Sequence, residues 1–169
     1  MPLLTTLVGA LPKHTFTPYA IGGGGYIFAD AFGAEYDRLQ QQRPLADVLA
    51  MQQFLAVLKQ VQLDLDVAVD GELSRLVYWQ YNCLNMAGVE RDGDEVVVTG
   101  PLSPGPAMLV DDWRQAQSFT ARPVKIATAG PATLSEYVVD RHYGDKRALC
   151  QAFAAALGTE LGALAEAGC

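Results

Sequence analysis

Single β-prone runs separated by helical stretches recur along this chain, and that alternation restricts the fold more than any other feature. Leu4-Thr5-Thr6-Leu7-Val8 is a short run ended by Gly9 and then Pro12. Leu65 to Asp70 and Pro123 to Thr128 are two more, closed by Gly71 and by Gly130-Pro131. Helical segments lie between them. They are Asp30 to Gln42, a helix with Pro44 in its first turn, a short one over Leu73 to Asn82, one opening at Val110-Asp111-Asp112 with an Asp as cap, and one starting near Thr133. Asp145 to Ala167 is a long helix with Gly168 as its C-cap. Single strands alternating with helices argue for parallel βα units, because a parallel neighbour needs a crossover. One segment breaks the rule: Val89-Glu90-Arg91, Asp92-Gly93 and Glu95 to Thr99 read as an inserted β-hairpin. The series closes on a helix, where a βα order would continue with a strand.

The apolar content sustains such a fold. Hydrophobic residues make up 50% of the 169 and charged residues 18%, enough to bury a core within one domain-sized unit, residues 1–169. In the helix after Pro44 the expected buried stripe is Leu45, Leu49, Phe54, Leu55, Leu58 and Val61. The net charge of -7 argues against nucleic acid as a partner, since phosphate neutralisation needs a basic face. No uninterrupted apolar run approaches a membrane span, and the first residues lack the basic and apolar regions of a secretory signal. Cys83, Cys150 and Cys169 fit no zinc or disulfide spacing. A reducing compartment, the cytoplasm, is the expected location.

Chemistry concentrates at the ends of the strands. In α/β folds ligands bind beyond the C-terminal ends of parallel strands. Asp70-Gly71-Glu72 sits at one such end. Two carboxylates there can grip an amino group, orient a base or act as an acid–base pair, and the same tripeptide also fits a plain solvated turn. Gly9-Ala10 ends the first strand; glycine there lets backbone N–H groups approach a ligand, or simply terminates the strand. Gly22 to Gly25 match no phosphate-binding fingerprint and read as a loop. His14 and His142 stand alone, without a metal-ligand cluster. Cys83 reads as a small buried residue, and Tyr78, Trp79 and Tyr81 as packing.

Several motifs in order carry a family resemblance. Thr5-Thr6-Leu7-Val8-Gly9-Ala10-Leu11-Pro12-Lys13 resembles the T-T-x-x-G-S-x-P-R opening of the cobalamin-independent methionine synthase catalytic barrel. Val69 to Arg75 resembles its D-G-E-x-x-R segment. Arg122-Pro123-Val124-Lys125 with Gly130-Pro131-Ala132-Thr133-Leu134 resembles R-P-V-K-x-x-x-x-G-P-x-T-L. Tyr143-Gly144-Asp145 and the closing Ala165-Glu166-Ala167-Gly168-Cys169 continue the match. The resemblance implies a partial (βα)8 TIM barrel, its first three or so βα units with the inserted hairpin. It also implies methyl transfer from methyltetrahydrofolate to a thiol such as homocysteine, with a zinc ion holding the thiolate. The substrate-binding roles fall on Gly9, Ala10 and Glu72. Asp70 either orients Arg75 or meets the substrate ammonium.

Two departures shape the expectation. Ala10 stands where the family commonly carries serine, which leaves another thiol open, such as coenzyme M in a related alkyl transfer. The family's zinc ligands fall in the second half of the barrel, outside the motifs found here. The expected partners are therefore a thiol, a methyl donor, and a complementary half-barrel or a second copy of the chain. A non-catalytic partial barrel that binds a partner is the remaining alternative.

Overall fold

The computed structural model describes residues 3–11, 45–75, 77–106 and 108–169. The Gly22 to Gly25 loop, the helix expected over Asp30 to Gln42, His14 and Pro44 lie outside the described residues. The chain divides into two compact units, Met1–Leu76 with Asp112–Ala127, and Val77–Asp111 with Thr128–Cys169.

In the first unit, helix α1 (Leu45–Gln62) leads into strand β1 (Ala68–Val69). β1 pairs in parallel with β4 (Val124–Lys125), which follows helix α3 (Met108–Gln117). The expected first strand is reduced to a single parallel bridge, Thr6 to Val67, supported by Val67 N–H donating to Thr5 O at 3.1 Å. The Asp66 carboxylate fastens its start, accepting from the Thr5 N–H and hydroxyl, both at 2.8 Å. Two of the sheet's backbone positions are served by side chains. Ala68 and Asp70 donate to Pro123 O, just before β4, and to Lys125 O on it, so Val69 faces the opposite side. There the Gln60 amide bonds both its N–H and its C=O at 2.8 Å. Val124 faces away from β1 in the same manner. Gln117 accepts from its N–H at 3.0 Å, and Trp113 Nε1 donates to its C=O at 2.8 Å. Backbone groups that a neighbouring strand would take are thus satisfied by helix side chains.

These demands correct the expected face of α1. Its buried residues are Gln52, Gln53, Val57 and Gln60, while Phe54, Leu55 and Leu58 of the expected stripe are exposed. Leu49 and Val61 are half-buried, and the Leu45 side chain lies outside the described set. Apolar residues occur on several sides of this helix, so their spacing does not single out a face. The polar requirement of Val69 does.

The second unit is built on a three-stranded sheet, β2 (Ala87–Asp92), β3 (Glu95–Ser103) and β5 (Val139–Asp140), in the order β2-β3-β5. β2 and β3 form the expected hairpin, Asp92 pairing with Glu95 across Gly93-Asp94. β3 runs on to Ser103, beyond the Thr99 end expected for the hairpin. β5 is parallel to β3 and too short for a sequence pattern to reveal. Helix α2 (Tyr78–Leu84), α4 (Pro131–Tyr137) and α5 (Lys146–Ala167) complete the unit. Val96, Val98, Leu134, Leu149, Phe153 and Leu157 form the centre of its core. Pro131 occupies the first turn of α4, so this helix starts ahead of Thr133. Asp145 caps α5 by accepting from Ala148 N–H at 2.7 Å, and Gly168 closes it.

Two further expectations change. α3 begins at Met108, so Asp111 and Asp112 lie inside it and do not open it. The Leu109 N–H at its start is taken by the buried Glu160 of α5 at 2.8 Å. By length and composition α5 could cross a membrane, although Gly158, Glu160, Gly162 and Glu166 interrupt its apolar sequence. Leu149, Phe153, Ala156, Leu157 and Leu164 of this helix are buried.

Candidate substrate-binding site

The site candidates of the first unit meet where β1 ends. Asp70 follows β1 directly and is fully buried. Gly71 and Glu72 then take left-handed backbone conformations, with φ of +70° and +56°. For Gly71 this is easy; for Glu72 it costs on the order of 1 kcal/mol and requires the surroundings to hold it. The turn is closed by Arg75 N–H donating to Glu72 O at 3.2 Å. A second bond, Leu11 N–H to Gly71 O at 3.0 Å, ties it to the segment after the first strand. A side chain at Gly71 would press on Leu11, with a Cβ 3.0 Å from Leu11 Cδ1.

Across from this turn stands Gly9, also left-handed at φ +68°. A Cβ on Gly9 would lie 3.9 Å from Glu72 Oε1, so the carboxylate faces the glycine with no side chain intervening. Ala10 is exposed next to it. Glu72 itself is only 8% exposed. Two of the four sequence-identified residues, Gly9 and Glu72, therefore face each other, and Ala10 follows Gly9 in the chain.

Asp70 has a different setting. Its carboxylate accepts from Arg75 Nη2 in a buried ion pair and from Ala127 N–H at 3.3 Å. Arg75 Nη1 donates to Ala127 O at 2.8 Å. Burial pushes the Asp70 carboxyl up to about 6. Arg75 and the Ala127 N–H oppose the rise, and the charges of Glu72 and Asp112 add to it. Arg75, Ala127 and Asp112 were not singled out as site residues by the sequence. The five-residue spacing from Asp70 to Arg75 was the available signal, and it is ambiguous without the turn.

The remaining candidates lie elsewhere. Cys83 is buried in the core of the second unit, its thiol pushed by burial up to about 12, so it holds its proton at neutral pH. Trp79 packs against that core and stacks on Tyr137, centroids 5.2 Å apart. Among the described residues no group of three or more His, Cys, Asp and Glu could hold a metal ion. The described residues do not fit a zinc site.

Comparison with known proteins decides the family. The model of the cobalamin-independent synthase catalytic domain matches residues 38–169. The chain belongs to that family. A 5-methyltetrahydropteroyltriglutamate–homocysteine methyltransferase of Vibrio vulnificus is 30% identical over 181 residues, covering 99% of this chain and 22% of the relative. The chain thus spans about a fifth of the length of such relatives. In solved structures it resembles a B12-independent methionine synthase from Shewanella sp. W3-18-1, described in complex with selenomethionine. That match has a TM-score of 0.74 at 23% identity and covers 97% of this chain and 48% of that one. A putative vitamin-B12-independent methionine synthase from Listeria monocytogenes matches at a TM-score of 0.69 and 20% identity, over 99% of this chain and 51% of that one. The mixed α/β fold is therefore that of the family's structures.

Proposed function

We propose that this chain is the opening portion of a methionine-synthase-type barrel and that its Gly9–Glu72 corner binds the α-ammonium of homocysteine. The observation that carries the reading is the Glu72 carboxylate facing the side-chain-free Gly9. An ammonium placed there makes a charge-assisted hydrogen bond in a nearly buried setting, worth about 1.5–3 kcal/mol. Ala10 supplies backbone alone, so recognition at this corner rests on charge. The reaction moves a methyl group from methyltetrahydrofolate to the homocysteine sulfur: an S–CH3 bond forms, the folate N–CH3 bond breaks, and the thiol's proton ends on that nitrogen as tetrahydrofolate leaves. The metal of such chemistry would be held outside the described residues.

The same carboxylate favours an amino-acid thiol over coenzyme M, which carries a sulfonate and no ammonium. Calorimetry on the wild-type chain tests this with L-homocysteine, 4-mercaptobutanoate and coenzyme M. Homocysteine should bind at least about tenfold more tightly than either, from the contact energy above. Equal affinity for all three would sink the amino-acid reading.

A further polypeptide, a complementary half-barrel or a second copy, completes the sheet in this reading. The support is exposure: Leu3, Leu4 and Val8 beside the single first-strand bridge are 94%, 71% and 90% exposed. Burying such side chains is worth about 1.5–3 kcal/mol each. Native mass spectrometry should show an assembly; a stable 18.2 kDa monomer would contradict it. In this reading the chain works in the cytoplasm, with Cys83 and Cys150 as free thiols.

A further inference from the structure

We propose that Asp70 and Arg75 are positioning residues that lock the left-handed Gly71–Glu72 turn and so aim the Glu72 carboxylate at Gly9. The inference rests on the reading of Glu72 given above and extends it to the residues behind it.

Neither Asp70 nor Arg75 is placed to touch a ligand itself; they are 0% and 1% exposed. Their ion pair holds both backbone groups of Ala127, Asp70 accepting from its N–H and Arg75 donating to its C=O. Ala127 lies just past β4, so the pair fixes the ends of two adjacent strands to each other. Between the two charged residues the chain makes its turn, and the Arg75 N–H closes it on Glu72 O. The strained φ of Glu72 thus sits inside a loop fastened at both ends. Strain of this kind persists where surrounding contacts over-determine it, and it clusters at ligand sites. A buried ion pair contributes little net stability compared with apolar residues of similar size, whereas it does fix one geometry. Here the geometry it fixes is that of the carboxylate.

The test separates positioning from stability. Asp70→Leu with Arg75→Met replaces the pair by apolar side chains, and Arg75→Lys keeps the charge while losing the planar fork. Three quantities are read: the melting temperature, amide hydrogen exchange at Leu11, and L-homocysteine affinity by calorimetry. Leu11 N–H reports the turn through its bond to Gly71 O, and Val69 N–H, held by Gln60, is the internal reference. The double variant should stay folded with Val69 exchange unchanged. Leu11 should exchange at least tenfold faster, and homocysteine should bind at least tenfold more weakly. A folded double variant with wild-type Leu11 exchange and affinity would overturn the proposal. If the double variant does not fold, Arg75→Lys is judged by the same two readouts. Glu72→Gln serves as the control for the underlying reading. If it binds homocysteine like wild type, the ammonium contact fails, while Leu11 exchange still decides whether the pair holds the turn.

Discussion

Asp70 and Glu72 are two residues apart and have opposite employment. Glu72 faces Gly9, and Asp70 is turned inward onto Arg75. The pH dependence follows from the raised carboxyl. Its folded value is about 6, above the ordinary 3.8. Asp70 therefore contributes stability that is fully present below about pH 4 and lost as pH rises through about 6. Asp66 has the opposite sign. Hydrogen bonds from the Thr5 N–H and hydroxyl hold it below the ordinary value, so its contribution is present above pH 3.8 and lost in stronger acid. Melting curves from pH 3 to 8 should show a decline between pH 4 and 6 that disappears in Asp70→Asn. Gly71→Ala adds a left-handed strain and a contact with Leu11, and should cost about 1–2 kcal/mol.

At the scale of elements, the sequence revealed more about where helices and strands lie than about which side they bury. The long C-terminal helix with its Gly168 cap, the hairpin and the β1–β4 strands were all legible, because capping residues, turn residues and β-branched runs act locally. The buried face of α1 was not. It is chosen by Val69, whose N–H and C=O need the Gln60 amide, and no periodicity encodes that need. Gln60→Leu should leave both groups unpaired and cost about 2–4 kcal/mol, measured by urea unfolding. The start of α3 escaped for a related reason, since its donor is met by Glu160, 51 residues away in sequence. Asp145→Ala, a purely local change, should cost only about 1 kcal/mol.

For the molecule as a whole, the ordered motifs gave the family and the alternation of strands and helices gave the α/β class. The division into two compact units was not legible, because the chain passes between them without any Pro/Gly-rich linker or change of composition. Of the proposed site, Gly9, Ala10 and Glu72 were named from motif and strand-end position, and Gly9 and Glu72 face each other in the fold. The inward turn of Asp70 was open in the sequence, because both of its readings used the same Asp-Gly-Glu. The account as a whole depends on one charge at one corner. Its most direct test is Glu72→Gln, which removes that charge with almost no change in volume. L-homocysteine affinity and melting temperature would be measured on the same preparation. The account predicts at least a tenfold loss of affinity with the melting temperature within about 2 °C of wild type. A variant that melts far lower yet binds homocysteine as tightly as wild type would contradict it.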